Sequence, residues 1–223
     1  MFMELKSESK NYIVVEGPLG VGKTSFAMLL AEKINGKAIL EETEGNPFLA
    51  SFYKDPKKFA FQTQLFFILR RFQKQEEINQ IDIFRRVVIS DFLFDKDKIF
   101  ARLNLDDREF SLYEQIFHLL KVRILKPNLV IFLQARTDIL KERIKRRNRD
   151  YEKSINIKYL DQINQAFNEF FFHYTETPLL VIDASEIDFV NVPADLDNLI
   201  VEIEKMEKGT KYYVPLGSKH EVR

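Results

Sequence analysis

A glycine-rich segment constrains the fold of this chain more than any other feature. It follows the apolar run 12–15, matches the spacing G-x-x-x-x-G-K-[ST], and reads Gly17-Pro18-Leu19-Gly20-Val21-Gly22-Lys23-Thr24. Glycines let the backbone turn so tightly that its N–H groups point at phosphate oxygens, and a helix that starts here adds its positive end. By this mechanism Lys23 contacts the β- and γ-phosphates and the Thr24 hydroxyl contacts Mg²⁺. We therefore expect all eight residues to bind ATP with Mg²⁺, and Lys23 to assist catalysis.

The motif defines a nucleotide-binding fold but not an activity, because GTPases, motor ATPases and small-molecule kinases share it. The chain contains no N-K-x-D motif of the kind by which a GTPase reads its base. Its 223 residues are fewer than a motor ATPase with a second module usually needs. The sequence therefore favours a small-molecule kinase.

Short apolar runs alternate with helical patterns along the chain. We expect strands at 12–15, 38–40, 86–90, 128–133 and 179–182, and helices at 24–34, 57–81, 107–125, 137–147, 155–174 and 193–207. This alternation predicts a parallel sheet covered on both faces. The expected fold is α/β, a P-loop NTPase-type three-layer sandwich with a five-stranded parallel sheet flanked by helices. We expect one domain over residues 1–208, followed by a loose tail at 209–223.

Charge and composition exclude several kinds of partner. Lys and Arg together number 34, as do Asp and Glu, so the net charge of +0 gives no bulk attraction to nucleic acid or to a membrane surface. There are no cysteines, and no apolar run approaches the roughly 20 residues of a membrane-spanning helix. The first ten residues lack the apolar core of a signal peptide. We expect a cytoplasmic protein without nucleic-acid or membrane partners.

Two charged stretches are candidates for the reaction itself. Acidic residues at 41–44 follow the second strand, where a carboxylate could accept a proton from an alcohol, although such a loop can also be simply solvated. Four arginines lie within seven positions at 143–149, at the end of a basic helix. Arginines stabilise a transferring phosphoryl group, but they can equally form an exposed helix end or a nucleic-acid patch.

From Tyr12 to about Val190, the chain resembles the deoxynucleoside kinase family, and it looks closest to bacterial members often described as deoxyadenosine/deoxycytidine kinases. Four stretches carry this resemblance: the glycine-rich segment with Glu16 before it, Glu41…Asn46-Pro47-Phe48-Leu49, Phe52-Tyr53-Lys54-Asp55-Pro56…Ala60-Phe61-Gln62-Thr63-Gln64, and Arg143-Ile144-Lys145-Arg146-Arg147-Asn148-Arg149…Glu152. The resemblance implies ATP-dependent phosphorylation of the 5′-hydroxyl of a deoxynucleoside, with deoxyadenosine or deoxycytidine as the expected acceptor, in nucleotide salvage. The alternatives are a nucleoside monophosphate kinase of the thymidylate type and a catalytically silent nucleotide-binding protein.

The same resemblance assigns residues to the acceptor. The family's general base falls on Glu41, with Glu42 as the alternative because the Pro that usually follows the base is absent. The tyrosine that contacts the sugar falls on Tyr53. The glutamine that pairs with the nucleobase falls on Gln64, whose amide can donate and accept side by side.

The arginine-rich stretch resembles the family's lid, at about 143–153. The resemblance implies that Arg147 and Arg149 reach the ATP phosphates as catalytic residues. Glu152 falls where the family binds the sugar 3′-hydroxyl, and Arg143 contacts either the adenine of ATP or only the surface.

The chain departs from the family after the third strand, where most relatives carry an acid followed by Arg and Ser. Here Asp91 is the expected Mg²⁺-supporting and substrate-site carboxylate, although a count without a gap places Ser90 there. The charged residues 95–97 could replace the missing arginine, reach the base, or be exposed. Family members are commonly dimers, so we expect a homodimer, in which the apolar face of 59–72 is either the interface or core.

Overall fold

A parallel β-sheet forms the centre of the computed structural model, which describes residues 10–81, 87–152 and 155–218. Its strands are β1 (Tyr12–Glu16), β2 (Lys37–Ile39), β3 (Val88–Ser90), β4 (Leu129–Gln134), β5 (Leu179–Asp183) and β6 (Thr210–Tyr213). They lie in the order β2-β3-β1-β4-β5-β6, and each adjacent pair is parallel. Because β1 is central, Val14 is opposite both Ser90 of β3 and Val130 of β4.

Helices cover both faces of this sheet. In the described ranges they are α1 (Lys23–Lys33), α2 (Leu49–Lys54), α3 (Pro56–Gln80), α4 (Asp97–Asn104), α5 (Asp107–Lys121), α6 (Thr137–Arg147), α7 (Ile157–Phe172) and α8 (Pro193–Glu204). Short 3₁₀ turns occupy Thr43–Gly45, Phe94–Lys96 and Asp150–Glu152. Within the described residues, no helix is long and apolar enough to span a bilayer.

The alternation along β1 shows how the layers form. Ile13 and Val15 belong to a core cluster with α1, α6 and α8, whereas Tyr12 and Val14 belong to one with α7 on the other face. Successive side chains of a strand point to opposite faces, so a strand between two layers must be apolar throughout. The predicted three-layer α/β sandwich is confirmed.

The number of strands was predicted wrongly. The structure has a sixth strand, β6, in the segment that the sequence predicted to be a loose tail. This strand has only four residues and no continuous apolar run, so its place depends on pairing with β5, where Leu179 lies opposite Thr210. Tyr213 packs against the core and holds this edge in place.

Several element boundaries also differ from the prediction. The helices α2 and α4 were not predicted, and α5 ends at Lys121 rather than at residue 125. Position 86 of the predicted third strand lies outside the described residues. Of the apolar face at 59–72, Phe61, Leu65 and Phe72 pack into a core cluster with α5, so this part of the face is core.

Candidate active site

A cavity of about 930 Å³ lies at the carboxyl ends of the strands, where ligands of such sheets bind. Its walls come from the glycine-rich loop, the segments after β2 and β3, α3, and the arginine-rich end of α6. The following predicted site residues line it: Leu19, Gly20, Val21, Gly22, Lys23, Thr24, Glu41, Tyr53, Gln64, Asp91, Arg143, Arg147, Arg149 and Glu152. Gly17 and Pro18, at the start of the loop, do not.

The glycine-rich loop joins β1 to α1 in a conformation that needs its glycines. Gly22 precedes α1 with φ 105°, a left-handed value that side chains disfavour. At Gly17 an added Cβ would lie 2.4 Å from the carbonyl oxygen of Leu133, so only glycine fits against β4. Lys23 Nζ donates to the carbonyl oxygens of Gly17 (2.8 Å) and Pro18 (3.2 Å). The pKa of Lys23 is lowered to about 8 because the ammonium is buried and lies near the charge of Lys96.

Asp91 connects this loop to the segment after β2. Its Oδ2 accepts a hydrogen bond from Thr24 Oγ1 at 2.5 Å, and its Oδ1 accepts one from the backbone N–H of Glu41 at 2.7 Å. Ser90, the alternative, instead donates to the Phe92 carbonyl and lies against the Tyr12 hydroxyl, away from the cavity. Asp91 is therefore the acidic side chain beside Thr24.

Glu41 lies in the cavity between two cations. Its Oε1 is 2.5 Å from Arg71 Nη2, and its Oε2 is 3.2 Å from Lys96 Nζ. Burial alone would raise the pKa of Glu41, but the charges of Arg71 and Lys96 outweigh this effect and lower it to about 2. The other candidate, Glu42, has a side chain that is 65% exposed and pairs with Lys74 at 3.1 Å. Of these two glutamates, Glu41 is the one that lines the cavity, with a side chain that is 13% exposed and a pKa that keeps the carboxylate ionised.

Sequence reasoning missed Arg71. This residue lies two helical turns after Gln64 on the same face of α3, and it is 4% exposed. Its guanidinium also forms a close ion pair with Asp97, which is fully buried at the start of α4. A buried carboxylate at Glu41 requires a cation, and this requirement is the signal that could have indicated Arg71.

The charges at 95–97 divide into two groups. Lys96 is 2% exposed and Asp97 is 0% exposed, so the interpretation of these two as exposed charges is wrong. Asp95 instead pairs with Lys121 on α5 at 2.5 Å, away from the cavity lining.

The part of the cavity lined by α2, α3 and Tyr151 is aromatic. Tyr53 stacks on Tyr151 with ring centroids 6.3 Å apart, and burial raises the pKa of the Tyr53 hydroxyl so that it stays protonated. Gln64 is 3% exposed, and its Oε1 has no hydrogen-bond partner in the structure, whereas Gln62 points to solvent. A buried amide oxygen without a partner on the wall of a cavity indicates a polar ligand group.

The arginines at and just after the end of α6 contact different parts of the site. Arg147 Nε donates to Glu152 Oε2 at 3.1 Å, and Glu152 is 4% exposed. Arg149 reaches across the cavity mouth to Thr43 Oγ1 at 3.3 Å.

Arg143 belongs to the loop end of the cavity. Its guanidinium donates to the carbonyl oxygens of Val21 (3.1 Å), Ala184 (2.8 Å) and Ile187 (3.2 Å). It therefore ties the glycine-rich loop to the segment after β5.

Comparisons with known proteins place this chain among characterised relatives. Residues 13–207 match the family model for deoxynucleoside kinase. A deoxyadenosine kinase from Dictyostelium discoideum is 36% identical over 212 residues, covering 92% of this chain and 84% of that protein. A deoxyguanosine kinase from Bacillus subtilis (strain 168) is 32% identical over 200 residues, covering 87% of this chain and 97% of that protein. A solved structure of deoxyadenosine kinase from M. mycoides has the same fold, with a TM-score of 0.77 at 24% identity over 87% of this chain and 99% of that chain.

Proposed function

Because this chain belongs to the deoxynucleoside kinase family, we propose that it transfers the γ-phosphoryl group of ATP to the 5′-hydroxyl of a deoxynucleoside. The observation that carries the proposal is the placement of Glu41. An ionised carboxylate that is largely shielded from solvent faces the same cavity as the glycine-rich loop, and Asp91 links the two through hydrogen bonds. Such a site holds a phosphate donor at one end and an alcohol at the other.

The transfer uses both ends of the cavity. As the 5′-oxygen bonds to the γ-phosphorus, Glu41 accepts the hydroxyl proton, and the bond to the ADP oxygen breaks with its electron pair remaining on ADP. Lys23, Arg147 and Arg149 neutralise the charge that develops on the phosphoryl oxygens. Arg143 fixes the loop that binds the donor, since it donates to the Val21 carbonyl.

Thr24 and Asp91 fit a magnesium site shared with phosphates. Both offer hard oxygen ligands, and their oxygens are 2.5 Å apart. Among the described residues, no group of three or more His, Asp or Glu is placed to hold a metal ion by protein ligands alone. Mg²⁺ is commonly held by one or two protein oxygens together with substrate phosphates, where it neutralises phosphate charge. We therefore propose Thr24 and Asp91 as its protein ligands.

The acceptor end supports a nucleoside. Tyr53 and Glu152 are proposed to bind the sugar, and the free Oε1 of Gln64 to accept a hydrogen bond from the base. A carboxamide pairs well with an edge that offers one donor and one acceptor, as adenine and cytosine do. Deoxyadenosine and deoxycytidine are the acceptors that we propose first.

A nucleoside monophosphate kinase would need free cations for the acceptor phosphate. Lys54, Lys57 and Lys58 are exposed and do not line the cavity. Arg71 and Lys96 do line it, but both contact Glu41, where the hydroxyl of the acceptor would bind, so neither forms a separate site for an acceptor phosphate. The charge distribution therefore favours an uncharged acceptor.

Three further proposals concern the assembly, the lid and the extent of the domain. We propose a cytoplasmic homodimer that acts in nucleotide salvage. We propose that the residues at about 143–153 move as a lid. We also propose a single kinase domain that extends beyond residue 208 through Tyr213, because β6 completes the sheet.

The test is to incubate the protein with ATP–Mg²⁺ and, separately, each of the four deoxynucleosides and dTMP. We expect at least one deoxynucleoside to yield its 5′-monophosphate, and dTMP to remain unchanged. Faster turnover of dTMP would support the monophosphate kinase. ATP binding without any phosphorylated product would support a catalytically silent protein.

A further inference from the structure

Lys96 occupies an unusual place for a lysine. It ends the 3₁₀ turn Phe94–Lys96, it is 2% exposed, and it lines the cavity. Its Nζ lies 2.9 Å from Glu16 Oε1 and 3.2 Å from Glu41 Oε2. Burying an ammonium is costly unless it is paired, so these two carboxylates account for its stability there.

Glu16 and Glu41, the two carboxylates beside Lys96, have different roles. Glu16 ends β1, and its oxygens also accept the backbone N–H groups of Gly17 (2.9 Å) and Leu93 (2.8 Å). It is therefore a fixed structural partner, which anchors Lys96 to the start of the glycine-rich loop. Glu41 is the group that we propose receives the proton of the acceptor. The contact with Glu41 therefore directs the ammonium towards the reacting atoms.

The cavity thus has a lysine on each side of the point of transfer. Lys23 lies on the loop that holds the donor, and it is near enough to Lys96 for their charges to interact. An acceptor hydroxyl bound to Glu41 Oε2 would be about 2.7 Å from that oxygen. Lys96 Nζ is 3.2 Å from the same oxygen. The ammonium and the acceptor hydroxyl would therefore both contact Glu41 Oε2.

We propose that Lys96 is a catalytic residue of the phosphoryl transfer, whose ammonium contacts the acceptor oxygen and the transferring phosphoryl group. It supplies the charge for which this chain has no arginine directly after Asp91. The inference rests on the proposed function. During the step the 5′-oxygen bonds to phosphorus, ADP leaves with the electron pair of the broken bond, and the proton passes to Glu41. Lys96 keeps its own protons and stabilises the charge.

The test compares Lys96→Met with wild-type protein on the acceptor that reacts fastest. Removing one preorganised donor from a developing charge typically lowers kcat by about 100- to 1,000-fold, and we expect a loss in this range. The KM values for ATP and the deoxynucleoside should change far less, because the contact forms mainly in the transition state. Lys98→Met is the matched control, since Lys98 lies outside the cavity and pairs with Glu114 at 3.7 Å. We expect its kcat to equal that of wild type.

A second variant separates catalysis from folding, because Lys96→Met leaves Glu16 buried without its cation. In Glu16→Gln/Lys96→Met the pair is replaced by neutral groups, which buried sites tolerate better than a lone charge. We expect this double variant to bind ATP and to show the same low kcat. A kcat near the wild-type value in any folded variant without Lys96 would overturn the proposal. If wild-type protein phosphorylates no deoxynucleoside, the proposed function fails instead.

Discussion

Asp91 contributes to the site through both of its carboxylate oxygens. One accepts the Thr24 hydroxyl, and the other accepts the backbone N–H of Glu41. A single side chain therefore links the glycine-rich loop to Glu41, the residue that we propose as the base. This arrangement separates the roles of adjacent residues, because Ser90 turns into the core beside Tyr12.

This difference predicts distinct magnesium dependences for two neighbouring variants. Asp91→Asn should lower the apparent affinity for Mg²⁺ and reduce kcat, because an amide is a weaker ligand for a hard cation than a carboxylate. Titration of the rate with Mg²⁺ at fixed ATP measures both effects. Ser90→Ala is the control and should keep the wild-type Mg²⁺ dependence. The reverse result would show that Ser90 marks the metal-binding position.

The lowered pKa of Lys23 predicts that ATP binding depends on pH. Its pKa in the free protein is about 8, so it is charged below this pH and loses its proton above it. Bound phosphates favour the ammonium, so ATP binding at higher pH must be accompanied by proton uptake. We expect uptake per ATP to rise from about pH 7 to about pH 9, and affinity to fall. Calorimetry in two buffers of different ionisation enthalpy measures this uptake. The same uptake at pH 7 and at pH 9 would contradict the contact between Lys23 and the phosphates.

At the scale of elements, local sequence signals define where helices begin. The Asp106 carboxylate caps α5 by accepting the backbone N–H groups of Arg108 and Glu109, both at 2.9 Å. The Glu109 carboxylate in turn accepts the backbone N–H of Asp106 at 3.2 Å. The pattern is a capping box, which satisfies N–H groups that a helix start leaves unpaired. It lies within four residues and was therefore available to sequence reasoning.

The capping box predicts how much Asp106 contributes to stability. Asp106→Ala should destabilise the protein by about 1 kcal/mol, because it removes the acceptor of two backbone N–H groups. Asp107→Ala provides the comparison, since Asp107 lies in the first turn but makes no capping bond. Urea unfolding should separate the two variants, and turnover should stay at the wild-type level in both. Equal stability of the two variants would contradict the role of the cap.

At the scale of the whole molecule, features that depend on local sequence could be predicted, and features that depend on distant residues could not. The glycine-rich loop, β1 and α1 were predicted because their signals are local. Arg71 was not predicted, and Lys96 was one of three charged residues at 95–97 whose role stayed open. The pairing of Lys96 with Glu41 joins residues that are 55 positions apart. The strand β6 was missed for the same reason, because its four residues depend on β5 for their place. Long-range electrostatic and strand pairings leave little trace in a local pattern.

The turnover of Glu41→Gln decides whether Glu41 is the base of the proposed reaction. A positioned base typically contributes about 100- to 10,000-fold to the rate, and we expect product formation from ATP and a deoxynucleoside to fall by this order. ATP affinity should be retained, because the proposed role of Glu41 is to bind the acceptor rather than the donor. Glu42→Gln is the matched control, and its exposed side chain predicts turnover near the wild-type value. A Glu41→Gln variant with turnover near that of wild type, or an inactive Glu42→Gln, would contradict the assignment of Glu41.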